Sequence, residues 1–343
     1  MPPLKLPAPI LFAACLAAAP AQAGNSHPVV LVHGFLGFGP EASPAGFRYW
    51  GGTGDLAAHI GAGKRQVLTA SVGPVSSNWD RAVELYYQLK GGCVDYGARH
   101  AASNSGAGEV RKPAGKCWAP DPASNPHGYP LALYPQWDAQ HPLHFVAHSQ
   151  GGQTVRTLIQ LLENGAPHGP GSEGDGDLFA GGRTGWVTSA TTITTPHNGT
   201  TLRDNILNFA PVLPVLAGGL FALTPHRKPA GFWKASNRDA AQWDLGPEGA
   251  AQLNEWVKTS PHVVYFSIGA RSKGDSDGVV DTASMRAPAG QPVRAFDGTP
   301  LKGSWNHLGN YEGYDHVGMV GWSTTPSAVL PVYDKLMEII SAL

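Results

Sequence analysis

Leu143-His144-Phe145-Val146-Ala147-His148-Ser149-Gln150-Gly151-Gly152 is the stretch on which the reading of this chain turns. Its first part is an apolar run of the kind that forms a buried strand. From Gly152 to Glu163, Val155, Leu158, Ile159 and Leu162 fall on one helical face, and Asn164-Gly165 supplies a stop. A serine at so sharp a strand-to-helix bend is held with its hydroxyl exposed, and small neighbours let the bend close. The usual pattern is Gly-x-Ser-x-Gly, and here Ala147 takes the first position. Read locally, the same residues also fit a serine capping an ordinary helix, so partners elsewhere in the chain must decide.

A serine hydroxyl is a poor nucleophile until a base takes its proton, and the base needs a carboxylate to fix its tautomer. On a sheet of this kind the chain order is Ser, acid, His. His316, in Tyr314-Asp315-His316-Val317-Gly318, lies late in the chain before the last helix and is the expected base, with His307 as runner-up. Asp277, in Asp275-Ser276-Asp277-Gly278, follows a strand ending near Ile268 and is the expected acid, with Asp275 and Asp281 as rivals. Upstream, Val29 to Val32 reads as a buried strand running into His33-Gly34-Phe35-Leu36-Gly37. The loop after such a strand supplies one amide of an oxyanion hole, here assigned to Phe35, and the residue after the nucleophile, Gln150, supplies the other.

Strands at 66–68, 186–193 and 263–268 alternate with helices near 79–89, 152–163, 248–258 and 329–340. This pattern predicts the α/β class: an α/β-hydrolase with a doubly wound, mostly parallel sheet. Two insertions, at about 80–130 and 200–244, interrupt this alternation of strands and helices. Ser77 is placed to cap the helix that follows it, with Asp80 at its third position. The run from Leu202 to Leu223 is strongly apolar but broken by Pro211 and Pro214, which suits a lid over an apolar slot or a buried helix pair. Glu173, Asp175 and Asp177 lack EF-hand spacing and read as a solvated loop.

Residues 1–23 read as a secretory signal: Lys5, the apolar run Ile10 to Ala19, and a small-x-small site at Ala21-Gln22-Ala23. A lipoprotein signal at Cys15 is the alternative. One hydrolase domain then occupies 24–343, exported to a periplasmic or extracellular space. No other run approaches the length of a membrane span. The net charge of −1 and a charged fraction of 14% give no electrostatic reason to expect a nucleic-acid partner. Gly and Pro together make up about 22% of the chain, against roughly 12% on average, so long ordered loops are expected. With Cys15 in the signal, Cys93 and Cys117 remain, either as a disulfide closing a polar loop or as two unpaired thiols; an oxidising compartment favours the disulfide.

Seven stretches together resemble one family. They are His33-Gly34-Phe35, Phe47-Arg48-Tyr49-Trp50-Gly51-Gly52, Gly73-Pro74-Val75-Ser76-Ser77-Asn78-Trp79-Asp80-Arg81-Ala82, Val94-Asp95-Tyr96-Gly97, Ala147 to Thr154, Thr195-Pro196-His197-Asn198-Gly199-Thr200-Thr201, and Asp277-Gly278. They are similar to those of the thermoalkaliphilic bacterial lipases, family I.5, from about His27 to the C-terminus. The resemblance implies a triacylglycerol lipase or carboxylesterase with the triad Ser149, Asp277 and His316, oxyanion donors Phe35 and Gln150, and a mobile lid. It also accounts for Ala147, since that family has alanine there.

The same resemblance implies a structural zinc, carried over onto Asp80, His100 and Asp244. The family's second histidine has no counterpart in Ser103 to Ala107, which leaves water or the distant His127 as a fourth ligand. The family's calcium position falls on Gly318 and Ser323, which carry no carboxylate, so no calcium is expected there. The chemistry itself requires no cofactor. Two other readings stay open: hydrolysis of aliphatic polyesters or short-chain esters by the same triad, and a catalytically silent binding module on a hydrolase fold.

Overall fold

The computed structural model describes residues 24–43, 46–63, 65–104, 116–169, 173, 177–201, 238–322 and 326–343. The expected signal at 1–23, the whole of the expected lid segment at 202–223, Asp175 and the calcium position at Ser323 lie outside the described residues.

Nine strands are described: β1 (Val29–Val32), β2 (Val67–Thr69), β3 (Gly92–Cys93), β4 (Cys117–Trp118), β5 (Leu143–His148), β6 (Val187–Ile193), β7 (Val264–Arg271), β8 (Val293–Ala295) and β9 (Trp305–Glu312). The helices are α1 (Leu56–Gly61), α2 (Asn78–Lys90), α3 (Ala98–Asn104), α4 (Gln150–Asn164), α5 (Ala241–Asp244), α6 (Pro247–Trp256), α7 (Thr282–Arg286) and α8 (Pro326–Ser341). Seven strands form one sheet in the order β2-β1-β5-β6-β7-β9-β8, and every neighbouring pair is parallel. The short β3 and β4 pair antiparallel at the disulfide between Cys93 and Cys117.

Parallel strands need helical crossovers that cover both faces, so successive residues of one strand enter two different cores. Val30 and Val32 of β1 pack with Phe145 and Ala147 of β5 and the apolar faces of α2 and α4. Val29, Leu31 and Val146 point the other way, against Leu56 and Ile60 of α1 and Val332, Tyr333 and Leu336 of α8. Burying both faces explains why β1 is apolar throughout rather than alternating. Ser77 caps α2 as its position suggested, its Oγ accepting the Asp80 N–H at 3.2 Å.

The strand order reverses direction at β1. The chain goes from β1 to β2 on one side, then crosses back over to β5 on the other. Beyond the carboxyl ends of adjacent strands at such a point, the outgoing loops diverge and leave a crevice. The loop carrying Phe35 follows β1, and Ser149 follows β5, so topology alone brings the two together.

Three expectations are corrected. Glu173 is not part of a solvated loop: it is buried, and its carboxylate accepts the His100 N–H at 2.7 Å. The polar stretch from Ala101 to Asn125, expected as a disulfide-closed surface loop, takes in the end of α3 and the short β4. Strands β8 and β9 were not foreseen. No helix among the described residues is long and apolar enough to cross a membrane.

Candidate active site

Ser149 sits between β5 and α4 with φ +56° and ψ −129°, a conformation that L-residues rarely adopt. Its N–H donates to Ile193 C=O at 2.9 Å, and its own C=O accepts Thr195 Oγ1 at 2.9 Å and Gly152 N–H at 3.1 Å. The surroundings therefore hold the strained turn in place. A side chain at Gly151 would collide with the carbonyl oxygens of Val32 and His33, so the glycine two residues after the serine lets α4 close against β1.

His316 Nε2 lies 2.9 Å from Ser149 Oγ, and His316 Nδ1 lies 2.7 Å from Asp277 Oδ2. With Nδ1–H donating to the carboxylate, Nε2 is free to accept the serine proton. Asp277 is itself held: its Oδ1 accepts the N–H groups of Val279 at 2.8 Å and Val280 at 2.7 Å, a turn that Gly278 permits with φ +93°. All three side chains are buried. The rivals stand elsewhere. Asp275 is exposed and pairs with Arg271 at 3.2 Å, Asp281 is exposed ahead of α7, and His307 Nδ1 lies 2.9 Å from Ser267 Oγ.

Gln150 is the first residue of α4, so its N–H is one of the donors without a partner inside the helix and lies at the positive end of the helix dipole. Phe35 lies in the turn after β1, which is pinned by Leu36 N–H to Pro74 C=O at 2.8 Å and Gly37 N–H to Gly34 C=O at 3.1 Å. Behind this turn, the buried Arg81 of α2 donates to His33 C=O at 2.5 Å and to Gly73 C=O at 2.7 Å, locking the loop to the helix.

A long stretch of sequence, 139 residues from His100, separates Asp80 and His100 from the carboxylate that meets them, and it is not the expected one. The donor atoms of Asp80, His100 and Asp239 lie within 4.8 Å of one another. His100 Nε2 is 3.3 Å from Asp80 Oδ1 and 3.1 Å from Asp239 Oδ1. Asp244 stands outside the group: its Oδ2 accepts the Asn78 N–H at 2.5 Å. Burial pushes the Asp244 carboxyl up to about 7, with the charge of Asp80 adding to the rise and the Asn78 N–H opposing it. Two aspartates five residues apart stand just before α5 and at its end, and the linear match selected the wrong one. Asp239 is also held by the cap residue Ser77, whose Oγ donates to Asp239 Oδ1 at 2.6 Å, a contact across 162 residues that no sequence signal announces. His127 lies beside Tyr129 and also stands outside the group.

The profile of the family described as "Lipase-like, C-terminal domain" matches residues 25–217. The lipase of Staphylococcus hyicus is 30% identical over 370 residues, covering 88% of this chain and 55% of that protein. Lipase 2 of Staphylococcus aureus is likewise 30% identical, over 87% of this chain and 50% of that protein. The chain thus spans about half the length of the curated relatives it matches. Among known structures, EstA from Clostridium botulinum superposes with a TM-score of 0.78 at 29% identity, over 100% of this chain and 93% of that one. Staphylococcus hyicus lipase gives 0.75 at 28%, over 94% and 98%, and lipase 1 from Pelosinus fermentans gives 0.73 at 31%, over 92% and 99%. With an α/β-hydrolase sheet and a match over more than half its length, the chain belongs to the lipase-like C-terminal-domain family, among bacterial lipases of the family I.5 type.

Proposed function

We propose that the chain is an exported serine carboxylic-ester hydrolase that cleaves triacylglycerols through an acyl-enzyme. The observation that carries this reading is the unbroken line from Asp277 through His316 to Ser149, at 2.7 and 2.9 Å. His316 Nε2 takes the Ser149 proton as Oγ attacks the ester carbonyl carbon. The carbonyl oxygen gains charge and is stabilised by the amides of Phe35 and Gln150. When the tetrahedral species collapses, the departing alcohol takes the proton from His316. Water then repeats the sequence against the acyl-enzyme, releasing the fatty acid and restoring Ser149. Asp277 stabilises the imidazolium formed in each half. A disulfide between Cys93 and Cys117 agrees with export to an oxidising compartment.

Asp80, His100 and Asp239 are the residues that would hold a structural zinc ion. An imidazole nitrogen and two carboxylates suit zinc, and bonds of 2.0–2.1 Å in a tetrahedron place neighbouring donors about 3.3 Å apart. The two nitrogen-to-oxygen separations here are 3.3 and 3.1 Å. The ion would tie α2 to α3 and to the turn before α5, away from the reacting atoms. Metal analysis of the purified protein, with thermal unfolding before and after chelation, tests this: bound zinc and a lowered midpoint support it, and Asp239→Asn lowers zinc content where Asp244→Asn does not.

The substrate class is tested by comparing hydrolysis of long-chain triglyceride emulsion, short-chain nitrophenyl esters and aliphatic polyester film. Release of long-chain fatty acid at rates matching or exceeding the others supports the lipase reading. Preference for film or for short soluble esters replaces it with a depolymerase or esterase, and no turnover of any ester refutes it.

A further inference from the structure

His148, the residue before Ser149, has a buried imidazole. Its Nε2 lies 2.9 Å from the backbone C=O of His316, and its Nδ1 lies 2.6 Å from the Tyr49 hydroxyl. That hydroxyl in turn lies 2.8 Å from the Gly34 N–H. The direction of each bond follows from the ends. A carbonyl only accepts, so His148 carries its proton on Nε2 and donates it to His316. The neutral ring then has a bare Nδ1, which accepts the Tyr49 O–H. An amide only donates, so the Tyr49 oxygen accepts from Gly34. Burial, followed by the neighbouring His316, pushes the His148 imidazole well below 6.5, which agrees with a neutral ring in this tautomer.

The chain of bonds joins three separate loops. It starts at the backbone of the base, passes the nucleophile's predecessor, and ends one residue before the oxyanion donor Phe35. Tyr49 is gripped by aromatic rings, with Phe38, Trp50 and Trp322 at centroid distances of 5.9, 5.6 and 5.3 Å, and its backbone C=O accepts Trp322 Nε1–H at 2.8 Å. The hydroxyl therefore has a fixed origin from which to hold the two loops.

We propose that Tyr49 and His148 are positioning residues, a single directional relay that holds the His316 loop and the Phe35 turn in register with Ser149. This rests on the acyl-transfer reading above. Without the relay, the protein keeps its triad and its apolar surfaces for substrate, but the base and the oxyanion donors drift relative to the serine. Drift affects the transition state more than ground-state binding, so the loss falls on kcat rather than KM.

The test uses Tyr49→Phe, which removes only the hydroxyl, together with His148→Phe and the double variant. Hydrolysis of p-nitrophenyl butyrate is measured per active site, counted by titration with a serine-directed phosphonate, so that misfolded protein does not enter the rate. For Tyr49→Phe the relay predicts a kcat about tenfold lower with KM within about twofold, since small misplacements near reacting atoms carry penalties of this order. Because one chain is broken in either case, the double variant should fall no more than about twofold below the weaker single variant. A Tyr49→Phe enzyme with wild-type kcat per site, a loss confined to KM, or losses that multiply in the double variant would each overturn the proposal. Failure of the wild-type protein to take the phosphonate at Ser149 would instead overturn the acyl-transfer reading beneath it.

Discussion

Replacing Gly34 by alanine probes how tightly the turn after β1, the proposed oxyanion turn, is packed on Ser149, the proposed nucleophile. An added Cβ would lie 2.6 Å from Ser149 Cβ, and 3.0 Å from both the His148 C=O oxygen and the Tyr49 hydroxyl. Ordinary contact begins near 3.4 Å, so the turn and the serine must separate by about 0.8 Å. The backbone at Gly34 is not in the left-handed region, so contact and not conformation sets the penalty. A displacement near 1 Å costs about 100-fold in rate, equivalent to about 2.8 kcal/mol of transition-state stabilisation. The assay is kcat/KM for p-nitrophenyl butyrate per titrated active site, with thermal unfolding run alongside. Gly63→Ala is the control, because nothing lies within 4 Å of its added Cβ. Gly34→Ala with the kcat/KM of the wild type would refute the placement of the turn against Ser149.

Reducing the Cys93–Cys117 disulfide, which spans 24 residues, should destabilise the fold by about 3.5 kcal/mol on the loop-entropy relation; an unchanged thermal midpoint after reduction would contradict this. Acid should also destabilise it. Burial first, and neighbouring arginines second, push His33 and His144 down to about 3, and His148 and His197 are held well below 6.5. Between pH 6.5 and 3 the unfolded chain binds protons that the native state refuses, so stability falls with pH, by up to about 1.4 kcal/mol per unit for each histidine. Denaturant midpoints that do not move between pH 7 and 5 would contradict it. Arg65 donates to Asn25 C=O and His27 C=O at 2.5 Å each and to Ser341 Oγ at 2.8 Å, fastening the segment before β1 to the end of α8. Arg65→Ala should cost about 3 kcal/mol through these charged hydrogen bonds with kcat/KM unchanged, as the fastening lies at the opposite end of β1 from Phe35.

What could be read from the sequence was local in character. The turn at Ser149 announces itself through small residues between a strand and a helix, and Asp277 through the glycine that follows it. Strand β9 does not: Asn306, His307, Gly309 and Asn310 break any apolar rhythm, and pairing with β7 and β8 makes this stretch a strand. Glu173 sat among acidic residues and glycines, so nothing in the line of residues indicated that its carboxylate is buried against the His100 amide. Asp239 precedes α5 and faces His100, whereas Asp244 ends that helix and turns to the Asn78 N–H, a difference of backbone direction that the line of residues does not carry. The motif around Tyr49 was visible, but its part in the relay depends on hydrogen-bond direction across three loops, which no local pattern encodes.

The central claim is that Ser149 is a nucleophile activated by His316 and Asp277. Incubation with a serine-directed phosphonate, followed by peptide mass mapping, tests it most directly. The account predicts one adduct, on Ser149, formed rapidly by the wild type, slowed at least about 1,000-fold in His316→Ala, and absent in Ser149→Ala together with ester hydrolysis. An adduct on another residue, or a Ser149→Ala protein that still turns over nitrophenyl esters at the wild-type rate, would contradict it.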